Sequence, residues 1–274
     1  MDIETYLKRI GLSGPQSPTL DTLKRVHAAH LRAIPYENLD VQFGRPVTIE
    51  RPAIYDKIVN RGRGGWCYEM NGLLGWALDE LGFKVTRATG AVMRELVGDT
   101  TLRNHLVLKV ELDEGLYLAD VGFGDGPIEP IHIVEGDFTS GGLPFSLTRL
   151  NSDWWRLRNH PYGGAPSFDF NLAPVDEALL AAKCDEQQYS PDSHFVLNLF
   201  CFRFRENGVV GVRGRVVRTV TPDGYDDRIL NGADELVRFC DEELDLRDPE
   251  LASLWPKICA RHDVVMALQL PKIS

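Results

Sequence analysis

One stretch of the chain has the residues to build a sulfur nucleophile. In "RGRGGWCYEMNG", residues 61–72, Cys67 follows an Arg-Gly-Gly-Trp run and opens what reads as a helix. A thiol attacks as its thiolate and is mostly protonated at neutral pH, so the position must supply something that favours the anion. Gly64 and Gly65 allow a close backbone approach. A helix starting at or near Cys67 would aim unpaired N–H groups and the positive end of its dipole at the sulfur. The same N–H groups could hold the oxyanion formed when a carbonyl is attacked.

Such a thiol also needs a base, itself oriented by an acid or amide. Of the seven histidines, His27 and His30 fall in a helical stretch, His132 and His160 sit near prolines, His194 follows "SPDS" and His262 lies near the end. His105 opens the strand-like "HLVLKVEL", whose other face is the apolar set Leu106, Leu108, Val110 and Leu112. Asp120 interrupts the apolar pattern of "GLYLADVG", and an acid at a buried strand position needs a partner. A hairpin turning at Asp113-Glu114-Gly115 brings Asp120 toward His105. With Glu114-Gly115 as a two-residue loop, however, Asp120 faces Lys109, a shift of about 13 Å at about 3.3 Å per residue, so a bulge or another pairing is required.

These groups need a frame of helices and strands. Residues 1–82 read as helical: "SPTLDTLKRVHAAHLRAI" offers Ser17 or Thr19 as a cap before Leu20, Leu23, Val26 and Leu31, and Pro35 interrupts. A further helix starts near Cys67 with the stripe Leu73, Leu74, Ala77, Leu78 and Leu81, and stops at Gly82. From Phe83 to about residue 220 the pattern turns to short β-branched or alternating segments such as "KVTRATGAVM", "WWRLR" and "HFVLNLFCFRF". "ADELVRFCDEELDL" and "DPELASLWPKICARH" return to amphipathic helix, so the fold class is α+β. The acidic "CDEELDLRDPE" reads as an exposed helix face and turn with no partner.

At 274 residues, 43% hydrophobic and 26% charged, the chain can bury a sizeable core. A formal charge of −10, with no basic cluster beyond the Arg213, Arg215 and Arg218 spacing, argues against nucleic acid as the main partner. No run is long enough to span a membrane and the first residues lack signal-peptide features, so no membrane association is expected. Five scattered cysteines without a CxxC pair fit a reducing cytoplasm, with no disulfide framework and no metal site. Cys184, Cys201, Cys240 and Cys259 read as structural.

"AHLRAIPYENLDV" at 29–41, "RGGWCYEMNG" at 63–72, "NHLVL" at 104–108 and "ADVGFG" at 119–124 resemble the arylamine N-acetyltransferase family, as do the intervals Cys67 to His105 and His105 to Asp120. The resemblance runs through nearly the whole chain and is densest over residues 1–130. It implies a helical bundle over 1–82 carrying the cysteine, a β-barrel over 83–195 carrying the histidine and aspartate, and a C-terminal α/β lid over 196–274. It also implies a catalytic triad of Cys67, His105 and Asp120 like that of cysteine proteases. An acetyl group would pass from acetyl-CoA, a co-substrate and not a resident cofactor, to Cys67 and then to an arylamine or hydrazine; a homodimer is left open. Phe123 and Phe202 match or approach the substrate pocket, though both read equally well as core. Gly124 and Gly126 fall where a loop passes the CoA pyrophosphate, and taken alone "GFGDGP" is only a turn. Glu37 and Arg63 could pair to brace the cysteine loop, and Asn71 could bind Asp120. A related amide synthase and a Cys-His-Asp hydrolase are the competing readings.

Overall fold

The computed structural model describes residues 1–14 and 16–269. The chain begins with α1 (Ile3–Arg9), α2 (Leu20–Ala33), the short strand β1 (Tyr36–Glu37), α3 (Leu39–Phe43) and α4 (Arg51–Tyr55). A π-helical turn over Asp56–Asn60 continues α4 before α5 (Cys67–Glu80). Of the two cap candidates for α2, Thr19 is the one used, its hydroxyl accepting the Thr22 N–H, and α2 stops just before Pro35, as a following proline demands. α5 is buried on every side from Cys67 to Leu78, so it is a central helix and not one with a single apolar stripe.

The middle of the chain supplies β2 (Lys84–Val92), the short helix α6 (Arg94–Val97), β3 (His105–Leu112), β4 (Gly115–Ala119), β5 (Ile131–His132), β6 (Gly136–Ser140), β7 (Leu143–Arg149), β8 (Trp154–Arg158) and β9 (Ser167–Pro174). They form one eight-stranded antiparallel sheet in the order β5-β4-β3-β2-β9-β8-β7-β6, curled into half a barrel. α7 (Glu177–Tyr189) and α8 (His194–Leu197) follow. A second, five-stranded sheet has the order β1-β10-β11-β12-β13, where β10 is Phe200–Arg205, β11 Gly208–Arg213, β12 Val216–Thr221 and β13 Gly224–Ile229. α9 (Ala233–Leu244) and α10 (Trp255–Gln269) close the described chain.

Two sequence expectations change here. The stretch 1–82 is not wholly helical, because Tyr36 and Glu37 pair with Phe202 and Cys201 as the edge of the second sheet. "HFVLNLFCFRF" is not one strand: Ser193 caps a turn of helix, and the strand starts only at Phe200. In both cases the deciding partner is far away in sequence, which local periodicity does not carry.

β3 divides two cores. Leu106, Leu108 and Val110 face the helices and pack with Trp66, Tyr68, Leu73 and Leu74, while Val107 faces a cluster with Leu118, Phe145, Phe168 and Phe170. The strand is therefore buried on both faces, and His105 enters the protein interior at its first residue.

Candidate active site

Cys67 is the first residue of α5 and is 2% exposed. Its Sγ lies 3.7 Å from the carbonyl oxygen of Asn104, the residue before His105, so the helix start and the strand start meet at this point. The fit is close: a Cβ on Gly122 would sit 2.7 Å from Cys67 Cα and 2.7 Å from Asn71 Nδ2, so only glycine lets this loop pass.

His105 Nε2 is 2.7 Å from Asp120 Oδ2. The hairpin register explains how they meet. Leu112 pairs with Gly115 and Leu108 with Ala119, so the two-residue loop is Asp113-Glu114. Continued by one step, that register sets Asp120 opposite Val107, two residues from His105 and on the same face. The gap is about 7 Å at about 3.3 Å per residue, half of what Glu114-Gly115 as the loop would leave, and side chains bridge it without a bulge. Gly115, with φ +133°, starts the return strand at a conformation few other residues adopt.

Asp120 is saturated with donors. Its Oδ1 accepts the Asn71 amide at 2.7 Å and the Gly122 N–H at 2.8 Å. Asn71 stands one helical turn after Cys67, and it also donates to the Leu106 carbonyl and accepts the Val121 N–H, tying α5 to both strand ends. Burial alone would raise the Asp120 carboxyl, but His105, Asn71 and the Gly122 N–H outweigh it and hold the group below the usual carboxylate range. Behind it, His27 Nε2 accepts the Asp120 N–H at 3.1 Å and its Nδ1 meets the Ile128 carbonyl at 2.9 Å. Burial lowers the pKa of His27, consistent with a neutral ring whose Nδ1 donates and whose Nε2 accepts.

The thiol behaves differently from what a helix start alone would give. Burial pushes Cys67 well above the ordinary thiol range, and neighbouring Cys184 and Asp120 push the same way. The N–H groups of Tyr68 and Leu106 work against this but do not overcome it. A thiolate at this position would have to form together with a neighbouring cation.

Phe123 stands 6.0 Å from the His105 ring, centroid to centroid, and 4.8 Å from Phe168, which itself lies 5.1 Å from His105. Phe168 is a wall residue that the sequence did not mark, being one apolar residue in an apolar strand. Phe202 is not in that group: it packs at 6.0 Å from Tyr36 and lines a separate cavity of about 380 Å³. Gly124 faces the edge of the Phe202 ring, where a Cβ would stand 3.5 Å from it, and Gly126 lies against Phe123. The cavity is lined by more cations than acids, with Arg213, Arg215, Arg218, Lys257 and Arg261 against Asp125 and Asp227, the latter paired with Arg218 at 2.7 Å. Sequence spacing grouped three of these arginines but gave them no role. Glu37 and Arg63 do pair, at 2.9 Å. Asp248, expected on an exposed turn, is instead half-buried and bonded to Arg45 at 2.7 Å and Arg63 at 3.2 Å.

A family model described as N-acetyltransferase matches residues 19–247. An arylamine N-acetyltransferase from Mycolicibacterium smegmatis is 38% identical over 222 residues, 78% of this chain and 81% of that protein. Human arylamine N-acetyltransferase 1 is 36% identical over 231 residues, covering 76% and 80%. The structure of Mycobacterium marinum arylamine N-acetyltransferase in complex with CoA superposes with a TM-score of 0.85 at 30% identity, over 96% of this chain and 99% of that one. These likenesses run through the helices and both sheets, and they make the chain an acyltransferase. It belongs to the arylamine N-acetyltransferase family.

Proposed function

We propose that the chain transfers an acetyl group from acetyl-CoA to an arylamine or hydrazine through a thioester on Cys67. The observation that carries this reading is the buried hydrogen-bonded run Asn71, Asp120, His105 beside the helix start that bears the thiol. His105 takes the Cys67 proton while Asp120 stays ionised and fixes the ring through Nε2. The resulting imidazolium is the cation that a buried thiolate needs.

The sulfur attacks the thioester carbonyl, and N–H groups at the helix start hold the oxyanion. The bond to the CoA sulfur breaks, CoA leaves with the proton from His105, and the acetyl group stays on Cys67. An incoming amine then attacks, His105 removes its proton and the Cys67 thiolate leaves. An aniline-type nitrogen is uncharged near neutral pH, and the flat walls of Phe123 and Phe168 suit an aromatic ring. The cationic cavity beyond the Gly124–Gly126 loop suits the phosphates of CoA, which binds and leaves in each cycle.

The same reading divides the chain into a helical part over 1–82, a barrel-like part over 83–195 and a lid over 196–274, around a core like that of cysteine proteases. All named groups come from one chain, so the chemistry does not require a homodimer. The five cysteines are free, which supports a reducing compartment such as the cytoplasm, and no helix among the described residues is long and apolar enough to cross a membrane.

Initial rates with acetyl-CoA and a hydrazide varied together should give parallel double-reciprocal lines. Intersecting lines would mean direct transfer without a Cys67 intermediate, and CoA release matched by acetate in place of acetyl-hydrazide would mean hydrolysis.

A further inference from the structure

A cluster of charge with Glu37, Lys57 and Glu69 buried at its centre lies beside the cysteine loop. Lys57, 5% exposed, donates to both oxygens of Glu69 at 2.9 Å, meets Asp40 at 2.8 Å and approaches Glu37 at 3.9 Å. Arg63 joins Glu37, Asp40 and Asp248, and Arg45 joins Asp40 and Asp248. Arg45 also meets the exposed Glu250 at 2.7 Å, so five carboxylates, Glu37, Asp40, Glu69, Asp248 and Glu250, share three cations.

The geometry ties this cluster to the thiol. Glu69 stands at the third position of α5, and its Oε2 accepts the N–H of Trp66, the residue before Cys67, at 3.3 Å. The carboxylate folds so closely over the loop that a Cβ on Gly65 would lie 2.9 Å from Oε2. Lys57 reaches it from the π-helical turn Asp56–Asn60, a distortion that often marks functional segments. Gly65 is also zipped to β1, its carbonyl accepting the Glu37 N–H at 2.9 Å. The two residues ahead of Cys67 are therefore tied down, Trp66 by the Glu69 carboxylate and Gly65 by the backbone of β1.

We infer that Lys57 and Glu69 are positioning residues that hold the start of α5, and with it the Cys67 sulfur, where His105 can take its proton; this rests on the reading of Cys67 as the acetylated nucleophile. Neither residue touches the reacting atoms. The groups facing Glu69 are Lys57 from the π-turn, Glu37 from β1, Asp40 from α3, Cys184 from α7 and the Trp66 N–H. Burial, with repulsion from Glu37 and Asp40 that Lys57 only partly offsets, pushes Glu69 up to about 7. Burial would lower Lys57, but three carboxylates outweigh it and keep the ammonium charged.

Charge balance makes the inference testable. Lys57→Met leaves one cation fewer for the same carboxylates, whereas Lys57→Gln combined with Glu69→Gln removes one charge of each sign, keeps the wild-type balance and keeps an acceptor for Trp66. Cys67 acetylation by acetyl-CoA and alkylation by iodoacetamide are followed by intact mass. Lys57→Met should slow maximal acetylation about tenfold or more, with half-saturating acetyl-CoA unchanged within about twofold, and the double variant should recover to within about threefold of wild type. A double variant as slow as Lys57→Met or slower would overturn the inference, as would a rise in half-saturation at unchanged maximal rate. If Lys57→Met does not fold, the pH profile of alkylation decides. The wild type should show an inflection near pH 7 that Glu69→Gln lacks, and the same inflection in both would overturn the inference. A wild type that alkylates but never acetylates would sink the acetyl-enzyme reading instead, while alkylation would still report where the thiol stands.

Discussion

Asp120 and Glu69 are both buried carboxylates set against the first turns of α5, yet their surroundings drive them in opposite directions. Asp120 receives His105, Asn71 and a backbone N–H and has no competing acid in its hydrogen-bonded set. Glu69 receives one lysine, which it shares with Glu37 and Asp40, and one backbone N–H at 3.3 Å. The comparison teaches that burial does not decide the state of a carboxyl; the number of unshared donors aimed at it does. On the reading proposed above, two tasks are divided on one helix: the side facing β3 would handle protons, and the side facing the π-turn would hold the backbone still.

The largest expected break in that comparison is Asp120→Asn. The amide keeps the shape, and its oxygen can still accept from Asn71 and Gly122, but the charge that orients and stabilises a His105 imidazolium is gone. Acetyl transfer should fall by about a thousandfold in kcat/KM with the fold retained by circular dichroism, whereas Glu69→Gln should stay within about threefold. Equal losses in the two variants would erase the division of tasks.

A smaller effect sharpens the comparison through stability. Glu69 is pushed up to about 7 from an ordinary 4.5, so its contribution to folding is fully present below about pH 4.5 and is lost as pH rises through 7. For Asp120 the sign is opposite: its contribution is present above the ordinary aspartate value of 3.8 and is lost as pH falls below it. Glu69→Gln should therefore gain on the wild type between about pH 5 and about pH 8, by on the order of 1–3 kcal/mol in denaturant melts. A pH-independent difference would mean that Glu69 does not titrate in this range.

Some of this was legible in the sequence and some was not. The start of α5 could be read from Gly64-Gly65 and the apolar residues after Cys67, and His105 from its place at the head of an apolar strand. The His105 and Asp120 pairing was read from the family motifs and not from geometry, because the turn residues Asp113-Glu114-Gly115 do not say which two form the loop, and each residue of slippage moves Asp120 along β3. His27 carried a signal, a polar ring on the apolar face of α2, but nothing local shows that it meets the Asp120 backbone. Lys57 carried no signal in the sequence, because its partners Glu37, Asp40 and Glu69 come from three other elements. Asp248 looked solvated for the same reason: its partners Arg45 and Arg63 lie some two hundred residues earlier.

The most direct measurement is the intact mass of the protein after brief incubation with acetyl-CoA, beside a Cys67→Ala control. The account predicts one acetyl adduct on the wild type, none on the variant, and loss of the adduct when an aniline or hydrazide is added. An adduct that survives Cys67→Ala, or none on a wild type that still turns over, would contradict it.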